Sequence, residues 1–235
     1  MDKTDRLRDY GLAFLLYEQG LGVCGYELIR ELFIFVKLIL NSYLYKNNLD
    51  HLLMRIITGI YKGRHFDIPR SFKARPTTDF AKENIFNVIN GYVDMEGANA
   101  LDLFAGTGSI SLELLSRGCA PVVSVEMDRD HASFIRECMK KLDTNDNILI
   151  RGDVFRFIKT CKQQFDLIFA DPPYALPELP TIPRLILEKG MLKPGGLFVF
   201  EHGKKNDFSD VPGFIEHRAY GSVNFSLFRA ETVEE

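Results

Sequence analysis

Residues 100–109, Ala-Leu-Asp102-Leu-Phe104-Ala-Gly106-Thr107-Gly108-Ser109, decide the fold. An apolar, strand-forming run meets an acid, passes through two glycines and opens into SISLELLSRG (109–118), a helical pattern closed by Gly118. Glycine is required where a backbone turns tightly and lets a ligand approach without a Cβ in the way, so Gly106 and Gly108 mark a strand-to-helix turn shaped around a ligand. A dinucleotide fingerprint reads G-x-G-x-x-G and seats a pyrophosphate on the helix N-terminus. Here Ser111 stands at the third glycine position, which weakens that reading.

Outward from this turn, apolar runs alternate with helical stretches: VVSVE (122–126) and a helix from about 130 to 142, NILIRGD (147–153) and VFRFIKT (154–160). FDLIFADPP (165–173), a Pro-rich loop, a helix ending near Gly190 and LFVFEHG (197–203) continue the alternation. Parallel strands joined by crossover helices produce this rhythm, so the core is expected to be a doubly wound α/β sheet. IEHRAYG (215–221) and VNFSLFRAE (223–231) break it and predict an antiparallel pair at the sheet edge or within it. Upstream, RIITGI (55–60) and His65–Ile68 predict a hairpin across Tyr61-Lys62-Gly63. Ala81, Ile85, Val88 and Ile89 then predict a helix capped by Thr78 or Asp79 and stopped at Gly91.

The chain has 235 residues, 46% of them hydrophobic, enough for one full-sized core and a small appendage. Cysteines 24, 119, 138 and 161 form no CxxC pair and the five histidines are scattered, so we expect no disulfide framework, no metal and a reduced, cytosolic protein. A formal net charge of −3 excludes wholesale coating of nucleic acid, yet Arg55, Lys62, Arg64, Arg70, Lys73 and Arg75 gather against Asp67 alone. Such a local asymmetry is the footprint of a phosphate-bearing partner; the bland alternative is a solvated hairpin face. In residues 1–53 the stretch LIRELFIFVKLILNSYLY (28–45) is interrupted by Arg30, Glu31 and Lys37. Its apolar runs fall short of the about 18 residues a membrane span needs. An amphipathic or partly buried helix packed on the main domain or a partner is expected; the alternative is that residues 1–53 are not native to the folded unit and translation starts at Met54.

Three acids follow three consecutive strands. Asp102 suits the ammonium end of an amino acid, directly or through water, and S-adenosylmethionine is a ligand of that kind. Glu126, supported by Asp128, is placed for two ribose hydroxyls. Asp153 is placed for an adenine amine, with Val154 against the ring. Any one of them could instead be a helix N-cap; all three in this order point to one ligand crevice. Asp171-Pro172-Pro173-Tyr174 follows the next strand. The lone pair of a base amine is delocalised into its ring, and an enzyme must localise it. The Asp171 carboxylate and the Pro172 carbonyl can each accept an amine hydrogen. The prolines hold that carbonyl with little freedom, and Tyr174 offers a face for stacking on the base.

RIITGIYKGR, RPTTDFAKENIFN, LDLFAGTGSISLELLSRG, VEMD, FADPPY and LKPGGLFVFEH, in this order, resemble the RsmD-type family of bacterial 16S rRNA (guanine-N2)-methyltransferases from Met54 to about Ala230. The resemblance implies a Rossmann-like class I S-adenosylmethionine-dependent methyltransferase fold with a mostly parallel seven-stranded sheet. It also implies S-adenosylmethionine as donor and, as acceptor, a guanine 2-amino group in 16S rRNA of the small ribosomal subunit. Asp171, Pro172, Pro173 and Tyr174 are then the expected catalytic set. Asp102, Phe104, Gly106, Thr107, Gly108, Glu126, Met127, Asp153, Val154 and Asp171 are expected to bind the cofactor. Arg75 and Thr77 of the RPT motif, with Arg55, Lys62 and Arg64, are expected to bind substrate. Glu201 and His202 are either pocket residues or a plain polar strand end. The expected layout is an extension at 1–53, a basic RNA-facing hairpin and helix at 54–97 and a catalytic core at 98–235, acting as a monomer in the cytoplasm without membrane contact. Amine methylation of DNA adenine or a protein amide, and an inactive ribosome-assembly factor, are the competing readings.

Overall fold

The computed structural model describes residues 52–72 and 78–230. The helix expected within 1–53, as well as Arg75 and Thr77, lies outside the described residues. Strands β1 (Leu52–Arg55) and β2 (His65–Ile68) form a two-stranded sheet, and helix α1 (Asp79–Ile89) follows. Then come β3 (Ala100–Leu103), α2 (Ser109–Ser116), β4 (Val122–Glu126), α3 (Arg129–Leu142), β5 (Asn147–Arg151) and α4 (Val154–Thr160). Next are β6 (Phe165–Ala170), a 3-10 turn (Leu179–Thr181), α5 (Ile182–Glu188), β7 (Leu192–His202), β8 (Phe214–Tyr220) and β9 (Val223–Arg229).

The seven-stranded sheet runs β5-β4-β3-β6-β7-β9-β8. β3 to β7 are parallel, and β9 is inserted antiparallel between β7 and β8. The central strands are apolar on both faces because helices cover both: every residue of β3 and β4 is buried. One face packs on the hairpin and on α1, α2 and α3 through Ile85, Phe86, Leu114 and Ile135; the other packs on α4 and α5 through Ile158, Ile182 and Ile186. The hairpin residues Met54, Ile56, Phe66 and Ile68 belong to the first of these clusters, so the hairpin and α1 share their apolar core with the sheet. Thr78 caps α1, its Oγ1 accepting the Ala81 N–H at 3.3 Å. Among the described residues no helix is long and apolar enough to cross a membrane.

The hairpin departs from expectation. β1 ends at Arg55, although the β-prone run continues to Ile60. Ile56 still pairs across the turn with Arg64 and Gly63, but the Ile57 and Thr58 N–H groups are drawn off to the Glu113 carboxylate of α2 at 2.8 and 3.0 Å. Two residues on, Ile60 N–H donates to the Ser116 carbonyl at 2.7 Å. Close approach of the two backbones explains Gly59. Its φ is +88°, and a Cβ there would sit 1.7 Å from the Ser116 carbonyl oxygen. Gly59→Ala is therefore expected to cost about 2–4 kcal/mol of unfolding free energy, combining backbone strain with a forced separation of hairpin and helix. Urea unfolding of the two proteins would measure it, and a midpoint equal to wild type would contradict the contact.

Candidate active site

The strand order reverses between β3 and β6, the place in an open α/β sheet where loops leave in opposite directions and a crevice opens. Leu103 pairs with Ala170, and the Asp171 N–H donates to the Leu103 carbonyl at 3.3 Å. The glycine turn and the Asp171-Pro172-Pro173-Tyr174 loop therefore leave neighbouring strands side by side.

The turn is built from unusual backbone. Phe104, at the tip of β3, has φ +63°, a left-handed conformation that costs a bulky residue about 1–3 kcal/mol and is held only where its surroundings demand it. Gly108 caps α2 with φ +78°, and a Cβ there would meet Cγ1 of Ile135 in α3 at 2.9 Å. Glu126 braces the turn from the tip of β4: Gly106 N–H donates to its Oε2 and Asp128 N–H to its Oε1, both at 2.7 Å. A carboxylate has about four acceptor sites, so two bonds leave capacity toward the crevice. Met127 beside it is 68% exposed, unusual for a large apolar side chain, whereas Val154 is buried. Asp153 caps α4 with Oδ1, which accepts the Arg156 N–H at 2.8 Å; Oδ2 has no hydrogen bond among the described residues.

Asp102 is only 1% exposed, and its carboxyl receives the hydroxyl of Ser111 in α2. The residue standing at the third glycine position is thus the partner of the acid that precedes the turn. Ser111 also bonds Ser124 at 2.6 Å, and Asn147 donates to Ser124 at 2.6 Å, extending the chain of polar groups across β3, β4 and β5. Burial pushes the Asp102 carboxyl up to about 7, with the Ser111 hydrogen bond opposing the rise and Glu126 adding to it.

On the other side, Asp171 and Glu201 meet at the tips of β6 and β7, where Ala170 pairs with Phe200. Burial holds Asp171 well above the usual carboxylate range, and the adjoining Glu201 carboxyl, then Asp102, push it further. Tyr174 OH donates to Glu201 Oε1 at 2.8 Å while its ring remains 48% exposed, resting against Gly203, where a Cβ would lie 3.5 Å from the ring. Burial and the Glu201 charge raise the phenol far up, so it stays a donor. Pro172 is buried, Pro173 is exposed, and the Pro172 carbonyl takes no hydrogen bond among the described residues.

Asp102, Phe104, Gly106, Thr107, Gly108, Glu126, Met127, Asp153, Val154 and Asp171 to Tyr174 all fall at the β3, β4, β5 and β6 strand ends or the turns that follow them. The basic residues are on the hairpin. Arg55 pairs with Asp79 at 2.9 Å, Arg64 donates to the Lys141 carbonyl at 2.7 Å, and Lys62 is exposed. Glu201 faces Tyr174, but His202 points to the opposite side of β7 and bonds Ser226 at 2.9 Å. Sequence reasoning missed Ser111, Lys82 and Glu113. Lys82 lies on the same stripe as Ile85, Phe86 and Ile89, and Glu113 lies between leucines; a charge inside an apolar pattern was the available signal.

This sheet order, with its glycine turn at the reversal, defines a Rossmann-like class I methyltransferase fold. The model of the family described as Conserved hypothetical protein 95 matches residues 54–229, and the chain belongs to that family. The RsmD-type resemblance is borne out by relatives. The protein YlbH of Bacillus subtilis (strain 168) is 33% identical over 75% of this chain and 98% of its own length. Ribosomal RNA small subunit methyltransferase D of Escherichia coli (strain K12) is 29% identical over 77% of this chain and 92% of its own length. The solved structure of yhhF from Escherichia coli superposes with a TM-score of 0.67 at 26% identity, over 77% of this chain and 99% of that one.

The Asp102 shift has a sign that can be checked. Its folded value, about 7, lies above its ordinary 3.8. Between these pH values the folded protein holds a proton that the unfolded chain releases, so this carboxyl costs stability increasingly as pH rises through that window. Asp102→Asn keeps an acceptor for Ser111 and removes the charge. Its thermal midpoint relative to wild type is expected to rise between pH 5 and pH 8; a gap that stays flat or shrinks would contradict the burial.

Proposed function

We propose that this chain methylates the exocyclic 2-amino group of a guanine in 16S rRNA of the small ribosomal subunit, using S-adenosylmethionine. The observation that carries the reading is the pair of acceptors at the sheet reversal, the raised Asp171 carboxyl and the Pro172 carbonyl, which has no hydrogen bond among the described residues, beside the glycine turn. The name of the Escherichia coli relative supports the small-subunit rRNA target; the RsmD-type motifs support guanine-N2.

The residues present fit the donor. Asp102, Glu126, Asp171 and Glu201 place carboxyl groups around one crevice, a setting that favours a cation. Glu126 has acceptor capacity for ribose hydroxyls, Asp153 Oδ2 for the adenine amine, and exposed Met127 offers an apolar face for the ring. S-adenosylmethionine, when bound, supplies a methyl group on a positively charged sulfur. Asp171 and the Pro172 carbonyl hold the two amine hydrogens and turn the nitrogen lone pair toward that methyl. Asp171 would take the proton that the nitrogen must lose on gaining the methyl group. A carboxyl with a raised pKa is a stronger base than a solvated one. Tyr174, fixed by Glu201, presents its ring to the base, which a folded rRNA must turn out of its helix. The unit acts as a monomer in the cytoplasm, where ribosomes are assembled.

Asp171→Ala is expected to lower methyl transfer to rRNA by roughly 10²–10⁴-fold while S-adenosylhomocysteine affinity changes only a few-fold. Labelled-methyl transfer with naked rRNA, small subunits, DNA and protein extract as acceptors checks both mutant and substrate class. Undiminished transfer by the mutant overturns the mechanism, and labelling of DNA alone overturns the rRNA target.

Lys62 and Arg64 are read as phosphate contacts. Lys62→Glu with Arg64→Glu is expected to weaken rRNA binding at least tenfold and to flatten the slope of log affinity against log salt by about 2, one per lost contact. Filter binding over a salt series measures it; an unchanged slope would place the RNA elsewhere.

A further inference from the structure

Lys82 and Glu113 are charged and enclosed: Lys82 is 1% exposed and Glu113 0%. They lie 3.6 Å apart, between the hairpin and α2. Each reaches both. Lys82 Nζ donates to the Arg55 carbonyl of the hairpin at 2.6 Å and to Ser109 Oγ at 3.1 Å. Ser109 is the first residue of α2, directly after Gly108. Glu113, one turn on, accepts Ile57 and Thr58 N–H from the hairpin and is held from behind by Arg117 Nε at 3.0 Å. Ser116 closes the clamp: its Oγ donates to the Thr58 carbonyl and accepts the Tyr61 N–H at 3.0 Å.

The turn carrying Lys62 and Arg64 is therefore fastened by its backbone to the helix whose N-terminal end forms the glycine loop. Arg64 N–H bonds the Tyr61 carbonyl and Gly63 N–H the Ile56 carbonyl, so the turn is a closed unit that moves with its anchors. Burying an ion pair carries a desolvation cost that apolar packing avoids. What the pair supplies instead is direction: every bond has one donor, one acceptor and one geometry, and a shift at either end is felt at the other.

We infer that Lys82 and Glu113 are positioning residues for methyl transfer, acting through Ser109 to couple the basic hairpin to the glycine turn, so that rRNA and the methyl donor bind cooperatively. This rests on the proposed function, in which the hairpin meets rRNA and the turn meets the donor. Coupling of this kind is reciprocal: if rRNA tightens the donor, the donor tightens rRNA by the same factor.

The test measures S-adenosylhomocysteine affinity of the full chain by calorimetry, without and with saturating unmethylated 16S rRNA. Wild type is expected to bind several-fold tighter with rRNA. Ser109→Ala, which removes one end of the Lys82 bridge and leaves the ion pair, should bring that ratio close to 1 with little change in thermal midpoint. Ser109→Thr, which keeps the hydroxyl, should retain it. Lys82→Met should raise the donor KM about tenfold more than it lowers kcat. A merely structural role would lower the midpoint and leave the ratio intact. Independent binding of the two ligands by wild type, or an unchanged ratio in Ser109→Ala, overturns the inference while the methyltransferase reading stands. Failure of wild type to bind S-adenosylhomocysteine at all would remove the functional reading and this inference together.

Discussion

The reversal of strand order between β3 and β6 is the constraint from which the rest follows. Crossover connections in a parallel sheet have one hand. Strands added on either side of a starting pair therefore send their helices to opposite faces. α2, after β3, packs on the face that holds Ile85 and Ile135; α5, after β6, packs with Ile158 and Ile182 on the other. The two chains separate as they leave adjacent strand ends, and backbone groups at Phe104–Gly108 and Asp171–Tyr174 are left facing one gap.

The gap is costly to maintain. It gathers four carboxyl groups, Asp102 and Glu126 on one side and Asp171 and Glu201 on the other; Glu126 adds to the rise of Asp102, and Glu201 and Asp102 add to that of Asp171. Phe104 adds a left-handed backbone that an aromatic residue does not choose by itself. The gathered acids and the left-handed backbone oppose stability, although the Phe104 ring itself packs against Phe155. Their convergence on the strand-order reversal is the pattern expected of a site rather than of a structural accident.

The layers and order of the fold were legible because the signals are local. Buried parallel strands read as short apolar runs, and Thr78 and the Gly106/Gly108 turn announce helix starts within a few residues of themselves. The hairpin was misjudged for the opposite reason. Ile57, Thr58 and Ile60 have strand propensity, but their N–H groups go to Glu113 and Ser116, more than fifty positions away. Asp171 could be singled out by its prolines, whereas its pairing with Glu201 depends on the β6–β7 register, which no sequence spacing encodes. Asp102 shows a subtler gap: its position before the turn was apparent, its burial against Ser111 was not.

That burial also clarifies what the turn can hold. A glycine at position 111 would leave Asp102 without its hydroxyl donor, and a helix start free of nearby acids would suit a pyrophosphate. Here the same helix start lies beside Asp102 and Glu126. A diphosphate brought there would gain from α2's N-terminal amides but face two carboxyl groups, with Asp171 and Glu201 on the opposite wall. Repulsion from these acids, where ionised, would oppose the modest attraction of one eight-residue helix end. A ligand carrying positive charge on sulfur and nitrogen reverses the sign of every one of those terms. Such a ligand would lower the cost of ionising Asp102 and Asp171 together, so acids that oppose stability in the protein alone would favour its binding.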